Sequence, residues 1–425
     1  MIIDNSPILI TGTESDNPFA IDIAVFCGQA TEIADILSLK TFANSEFCPR
    51  FISDERDLKD IGRKMKGMTV IMVSTASSSL SRNELAWRNL LVARAAKDNG
   101  ARQVILVEPD LFFSAQDRGP LPEHGSVQFE RDEGDYKKFD GQAFTSQFYA
   151  QALALAGVDA VVTVHNHSTS VKRLFGEVMQ GGFMNLNPAE VFADYIRTSD
   201  VTPSLHSGAG LLVCAPDSGA REFAQQVHQH LGMPSAHLLY IAKRRKDERT
   251  VSSLIDPASP CSVEEIAGKD IVVFDDMVRT GNTIRECCRL LKEAGAGRVV
   301  FFVTHFYSSP EVRESLHTPA LDEIVTTNTL PCILNRDMQG RLRRKLTVLK
   351  LEKWISRAVI DSLGFPTRHM VGSEYTVDMS SKNPRWMSAS NSAEAYMRAQ
   401  PSLDFADDSA DAGSAREGTG ARVDK

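Results

Sequence analysis

The stretch Asp270–Thr283, DIVVFDDMVRTGNT, constrains the fold of this chain more than any other. Ile271 to Phe274 form a short apolar run rich in β-branched residues, the pattern of a strand buried on both faces. Asp275 and Asp276 end that run. Arg279-Thr280-Gly281-Asn282-Thr283 then turns the chain into a helical pattern, with Ile284, Cys287, Cys288, Leu291 and Ala294 on one face and Gly295 as the stop. A strand of this kind needs helices on both sides of a parallel sheet. Its loop is suited to a phosphorylated sugar: backbone N–H groups at a helix N-terminus attract phosphate, and carboxylates take sugar hydroxyls or a cation. An ordinary βα turn uses the same residue types, so TGxT alone is ambiguous; DD-x-x-x-TGxT is far more specific.

Similar alternation runs through most of the chain. Apolar runs predict strands at Pro7–Thr11, Met68–Ser74, Gln103–Val107, Ala160–Val164, Leu211–Ala215, Leu238–Ala242, Ile271–Asp275, Val299–Thr304 and Glu323–Thr327. Helical patterns lie at Asn83–Asn99, Gln142–Ala156, Ala220–Leu231 and Thr283–Ala294. Strand and helix at this spacing predict α/β architecture with doubly wound parallel sheets. Two such series occur, one before and one after about Gly182, and 425 residues suffice for two domains with separate cores. A basic, helix-compatible segment follows around Lys345 to Leu363. From Ser388 onward Ser, Ala, Asp and Gly dominate, so 383–425 is expected to form a disordered tail.

Composition narrows the function. The net charge of −8 leaves no basic footprint for nucleic acid. No apolar run approaches the roughly 18 residues of a membrane span, and the N-terminus lacks a signal-peptide pattern. The seven cysteines stand at no zinc-ligand spacing and read as reduced thiols, so a cytoplasmic enzyme is expected.

The remaining motifs decide which phosphate chemistry fits. Asp270–Thr283 resembles the phosphoribosyl-diphosphate (PRPP) loop of phosphoribosyltransferases and, more closely, of ribose-phosphate diphosphokinases (PRPP synthetases). Phe42-Ala43-Asn44-Ser45-Glu46 resembles that second family's F-x-D-G-E, with Asn44 and Ser45 in place of Asp and Gly. Asn83-Glu84-Leu85 stands where the family has N-D-x-L. Phe113-Ser114-Ala115-Gln116-Asp117-Arg118 resembles Y-A-R-Q-D-R, with Ala115 where most relatives carry an arginine that helps hold the nucleotide. A charged stretch, Gly119 to Asp140, follows and is longer than the family's loop. It reads as a solvated insertion, with Lys137 or Lys138 as an alternative phosphate contact or the whole as a lid. His165-Asn166-His167 aligns with the family's D-L-H, and at period two on a strand both histidines would share a face. Pro216-Asp217-Ser218-Gly219 resembles P-D-x-G, Lys243-Arg244-Arg245 resembles K-x-R, and Thr304-His305 and Thr327-Asn328-Thr329-Leu330-Pro331 match T-H and T-x-T-x-P.

The resemblance spans roughly Ile8 to Leu363 and implies two phosphoribosyltransferase-like domains related by duplication. Residues 1–184 would form the nucleotide side and 185–348 the ribose 5-phosphate side, with a helix in 349–365 packing back on the first domain. The implied reaction moves the diphosphoryl group of ATP, or another donor, to the 1-hydroxyl of ribose 5-phosphate. The implied roles are ribose 5-phosphate binding by Asp275, Asp276, Arg279, Thr280, Gly281, Asn282 and Thr283, and charge stabilisation by Lys243 and Arg245. Phe42, Asn44, Glu46, Gln116 and Asp117 would bind nucleotide, the first three from a neighbouring subunit of a homo-oligomer. His167 and Asp217 would hold Mg²⁺. A phosphoribosyltransferase and a non-catalytic regulatory subunit of the same family are the alternatives.

Overall fold

The computed structural model describes residues 8–14, 16–52, 58–125, 130–203, 210–245 and 251–378; the 383–425 tail and Lys246 to Arg249 lie outside them. The first sheet is parallel throughout and consists, in spatial order, of β1 (Ile8–Gly12), β4 (Thr69–Val73), β5 (Gln103–Val107), β6 (Ala160–Val164) and β7 (Phe183–Leu186). The intervening β2 (Leu37–Thr41) and β3 (Phe47–Phe51) form a separate antiparallel ribbon. In the second sheet β8 (Leu211–Ala215) has β9 (Ala236–Arg245) on one side and β11 (Asp270–Val278) on the other, and β10 (Val251–Ile255) pairs antiparallel with β9. Beyond β11 follow β12 (Arg298–Phe306), β13 (Glu323–Thr327), β14 (Leu346–Lys350) and the short antiparallel β15 (Thr376–Val377). The central strands β4 and β8 are buried at every position, as parallel strands covered on both faces require.

The longer helices are α1 (Pro18–Phe26), α2 (Arg82–Asp98), α3 (Thr145–Ala156), α4 (Thr169–Val178), α5 (Ala189–Thr198), α6 (Arg221–Leu231), α7 (Asn282–Glu293), α8 (Pro310–Ser315) and α9 (Glu352–Ser362). Local chemistry sets several of their ends. A reciprocal capping box joins Ser81 and Glu84 at the start of α2, and Ser168 caps α4 by accepting from Val171 N–H. One face of the first sheet packs on α2, α3 and α4 through Val70, Met72, Val104 and Leu106. Its other face, through Ile71, Val73, Ile105 and Val107, joins α1, α5, α6 and α9 and the inner face of the second sheet (Val213, Val272, Phe274, Phe302) in one continuous apolar cluster. The middle layer is therefore shared by the two sheets, while each sheet keeps an apolar cluster of its own on its outer face. The outer face of the second sheet packs on α7 and α8.

Several sequence expectations are revised. β11 continues past both acids to Val278, because β12 is long enough to pair with it as far as Phe306. β6 stops at Val164, and His165 takes a left-handed φ of 49°, so strand alternation does not set the directions of His165 and His167. Lys243–Arg245 extend β9 past the predicted end at Ala242 and pair with Val251–Ser253. The Lys345–Leu363 segment is β14 followed by α9. No local pattern announces the β2–β3 ribbon, β7, β10 or β15; β7 is a half-buried edge strand with no polar alternation.

Candidate active site

The strand order around β8 decides where a ligand can enter. β9 follows β8 on one side and β11 lies on the other, which opens a crevice beyond the carboxyl ends of β8 and β11. The residues delivered there are Asp217, just past β8, and Asp275 and Asp276 near the end of β11. Asp217 Oδ1 accepts from Gly219 N–H at 3.0 Å, a turn contact that precedes α6 rather than capping it. Asp276 N–H donates to Asp275 Oδ1 at 3.0 Å.

The loop after β11 exposes Arg279, Thr280 and Asn282, half-buries Thr283 and buries Gly281. Gly281 has φ 77°, and a Cβ there would stand 3.1 Å from Ser315 Cβ and 3.3 Å from Leu316. Glycine thus lets the loop lie against the end of α8 and reverse into α7, whose first N–H groups remain available to an anion. Lys243–Arg245 leave the same end of the sheet: β8 and β9 pair up to Ala215–Tyr240, and Lys243 lies three residues further on, roughly 10 Å along an extended strand.

The first sheet contributes from across the cleft. Nδ1 of His167 lies 2.6 Å from Oδ2 of Asp276, although this oxygen lacks well-formed hydrogen-bond geometry. The contact with Asp276 raises the imidazole above its usual pKa, against the opposing effect of burial. On Asp276 burial acts upward, but the contact with His167 and its charge outweigh it and hold the carboxyl below the usual range. Asp275 goes the other way. Burial lifts it well above the carboxylate range, and the charges of Asp276 and Asp217 add to that. Two carboxyl groups side by side can take adjacent hydroxyls. Burial pushes His165 down to about 3; its Nδ1 meets Thr304 Oγ1 at 2.6 Å and its ring lies 3.9 Å from that of Phe223. His165 therefore seals the joint between the two sheets.

A second contact set joins the sheets beside the first. Arg82, at the start of α2, pairs with Asp110, whose carboxylate also accepts from Tyr307 Oη at 2.8 Å. His305 Nε2 lies 3.0 Å from Val164 O. Nothing local marked Asp110 or Tyr307; they are 197 positions apart and meet only in the fold.

Relatives of known name match this arrangement. The family model described as phosphoribosyl transferase domain matches residues 199–329. A ribose-phosphate pyrophosphokinase of Corynebacterium efficiens is 26% identical over 324 residues, covering 76% of this chain and 83% of that protein. One from Parasynechococcus marenigrum is 26% identical over 337 residues, covering 78% and 86%. The crystal structure of phosphoribosylpyrophosphate synthetase from Mycobacterium smegmatis superposes with a TM-score of 0.63 at 21% identity, over 84% of this chain and 99% of that one, and shares the fold. The chain resembles the ribose-phosphate pyrophosphokinases along most of its length.

The remaining sequence candidates lie in the connections of the first sheet and on its ribbon. Phe42, Asn44 and Glu46 form the tip of the β2–β3 ribbon, where Phe42 N–H donates to Glu46 O and Asn44 Oδ1 accepts from Glu46 N–H. All three are exposed, with the Lys40 ammonium 5.0 Å from the Phe42 ring centroid. Asp117 is tied to the His167 loop: its Oδ2 accepts from Ser168 Oγ at 2.7 Å, and Gln116 O accepts from Ser146 Oγ at 2.8 Å. Lys137 and Lys138 are paired with Asp140 and Asp135, and Arg131 ties the insertion together through Asp135 and the carbonyls of Gly119 and His124. Among the described residues no three His, Cys, Asp or Glu side chains form a metal cage. The donors present are nonetheless suited to Mg²⁺, which keeps several waters and takes one or two carboxylates: Asp217, Asp275 and Asp276 offer oxygens, and Oδ2 of Asp276 is buried and short of a donor.

Proposed function

We propose that this protein is a ribose-phosphate diphosphokinase, transferring the diphosphoryl group of ATP to the 1-hydroxyl of ribose 5-phosphate to give PRPP and AMP for nucleotide biosynthesis. The observation that carries this reading is the pairing of the Asp275–Thr283 stretch, at the switch point of the second sheet, with His167 from the first. In this reading residues 185–348 hold the sugar and 1–184 the nucleotide, with α9 of the 349–365 segment lying against α1. Thr280 to Thr283 and the N-terminus of α7 take the 5-phosphate. Asp275 and Asp276 take the ribose hydroxyls. The sugar O1 attacks the β-phosphorus, the bond to the α-phosphate oxygen breaks, and the hydroxyl proton passes to solvent. His167 and Asp217 would hold Mg²⁺, which neutralises charge on the donor phosphates when bound. Lys243 and Arg245 would stabilise charge on the transferred group. Gln116 and Asp117, with Phe42, Asn44 and Glu46 of a neighbouring copy, would hold the nucleotide in a homo-oligomer. The free cysteines and the lack of any described helix able to span a membrane suit a cytoplasmic setting.

Purified protein with Mg²⁺, ribose 5-phosphate and ATP should form AMP and PRPP in equal amounts, and chelation should abolish this. Lys243→Ala should lower turnover by about 10³-fold. No PRPP with any nucleoside triphosphate would refute the reading. Ala115 favours a second one, a regulatory subunit of the same family, which would bind ribose 5-phosphate without turnover.

A further inference from the structure

Around this cleft described carboxylates have a cation beside them: Arg82 at Asp110, Arg118 at Asp117 and His167 at Asp276. A triphosphate entering such a cleft gains from every cation already held in place, because a fixed guanidinium pays little ordering entropy for each hydrogen bond it forms. Arg82 is held more firmly than Arg279. Its Nη2 is committed to Asp110, a carboxylate whose side chain is only 3% exposed. Its Cζ lies 5.1 Å from the ring centroid of Phe112 and 5.5 Å from that of Tyr307, so the fork is gripped by one ring from each sheet. Nε and Nη1 have no hydrogen-bond partner among the described residues, while the side chain is 32% exposed. This is an arginine with its orientation fixed on one side and donors unspent on the other.

Its position gives those donors a task. Phe112 and Asp110 belong to the segment after β5 that continues to Ala115, Gln116 and Asp117. Tyr307 belongs to the end of β12, and the charge of Arg279 reaches both Tyr307 and His167. Arg82 thus stands over the Asp110–Asp117 segment of the first sheet, on the rim that leads through Tyr307 and Arg279 to the His167–Asp276 pair.

We propose that Arg82 binds the phosphates of the diphosphoryl donor, supplying from the start of α2 the guanidinium that the Asp110–Asp117 segment lacks at Ala115, with Asp110 and Tyr307 as its positioning residues. This rests on the diphosphokinase reading. Arg82 closes the donor side of the cleft, while the Asp275–Thr283 loop serves the acceptor side alone.

Direct binding of the non-transferable donor α,β-methylene-ATP with Mg²⁺, and separately of ribose 5-phosphate, to the full chain tests it. Arg82→Lys keeps a cation opposite Asp110, and so the fold, but loses the planar fork. Donor Kd should rise about 10- to 100-fold, the range for hydrogen bonds to charged groups. Ribose 5-phosphate Kd should stay within twofold. Adding Ala115→Arg to Arg82→Lys should recover at least tenfold of the loss. An unchanged donor Kd, equal weakening of both ligands, or no recovery with Ala115→Arg would overturn the assignment of Arg82 while leaving the diphosphokinase reading intact. Wild-type protein that binds ribose 5-phosphate but no nucleoside triphosphate would overturn both.

Discussion

Gly281→Ala tests whether the phosphate loop depends on a backbone that only glycine supplies. Two costs add at this position. A Cβ at φ 77° meets its own following carbonyl, a strain of about 1–2 kcal/mol. The same Cβ would lie 3.1 Å from Ser315 Cβ and 3.3 Å from Leu316 Cγ and Cδ2. Leu316 is fully buried and cannot swing aside, so relief must come from backbone shifts costing about 1–3 kcal/mol. Alanine also restricts the unfolded chain, which returns about 0.4–1 kcal/mol. The net loss should be about 1–5 kcal/mol in urea unfolding, centred on about 3 kcal/mol. Gly62→Ala is the internal control: its φ is 72°, but nothing lies within 4 Å of the added carbon, so only the strain remains, about 0.5–1 kcal/mol after the same offset. Because the loop must move to clear Leu316, ribose 5-phosphate affinity should fall at least about tenfold in Gly281→Ala and stay unchanged in Gly62→Ala. If the two variants lose the same stability, the close approach to α8 does not matter and the reasoning fails.

The pair across the cleft has a pH signature. His167 has its pKa raised in the fold, so its contribution is complete below the unfolded value of about 6.5 and fades as pH rises through the folded one. Asp276 has its pKa lowered, so its contribution is present above about 3.9 and is lost as pH falls. The stability difference between wild type and His167→Gln should therefore peak at about pH 5–6, at about 0.5–1 kcal/mol since the imidazole is half exposed, and fade as pH rises through the folded pKa of His167; a difference that is flat with pH in urea titrations would count against the pair. Arg131→Ala should speed proteolytic cleavage within 119–140, since its guanidinium holds Asp135 and the carbonyls of Gly119 and His124. Its turnover should match wild type if this segment is only a folded insertion, and a fall in donor affinity would show that it is more. Tyr307→Phe removes one donor to Asp110 and leaves the ring under Arg82, so donor affinity should weaken by no more than about fivefold. A loss as large as that of Arg82→Lys would mean that the hydroxyl itself meets the ligand.

Much of this protein was legible before any tertiary contact was known. Uniform apolar runs such as Val70–Val73 and Leu211–Ala215 announce central parallel strands, because only strands covered on both faces can be apolar at every position. The two acids, the Thr-Gly turn and the helix after them announce a phosphate loop for an equally local reason: a helix start exposes N–H groups, and Gly281 allows the reversal. Tertiary structure decided everything that depends on which strand lies beside which. The length of β12, not the composition of β11, carries the latter past its acids to Val278. Pairing with Val251–Ser253 carries Lys243–Arg245 on in a strand, past the Ala242 at which the apolar run ends. The left-handed turn at His165 sends it against Thr304 and brings His167 to Asp276 on the other sheet. Arg82, Asp110 and Tyr307 carry no signal in their own neighbourhoods, because what binds them is an ion pair and ring contacts formed across the joint. Local pattern determines the elements and the loops at their ends. Long-range packing determines which of those loops face one another, since that depends on the apolar faces the elements bury against each other rather than on the residues in the loops.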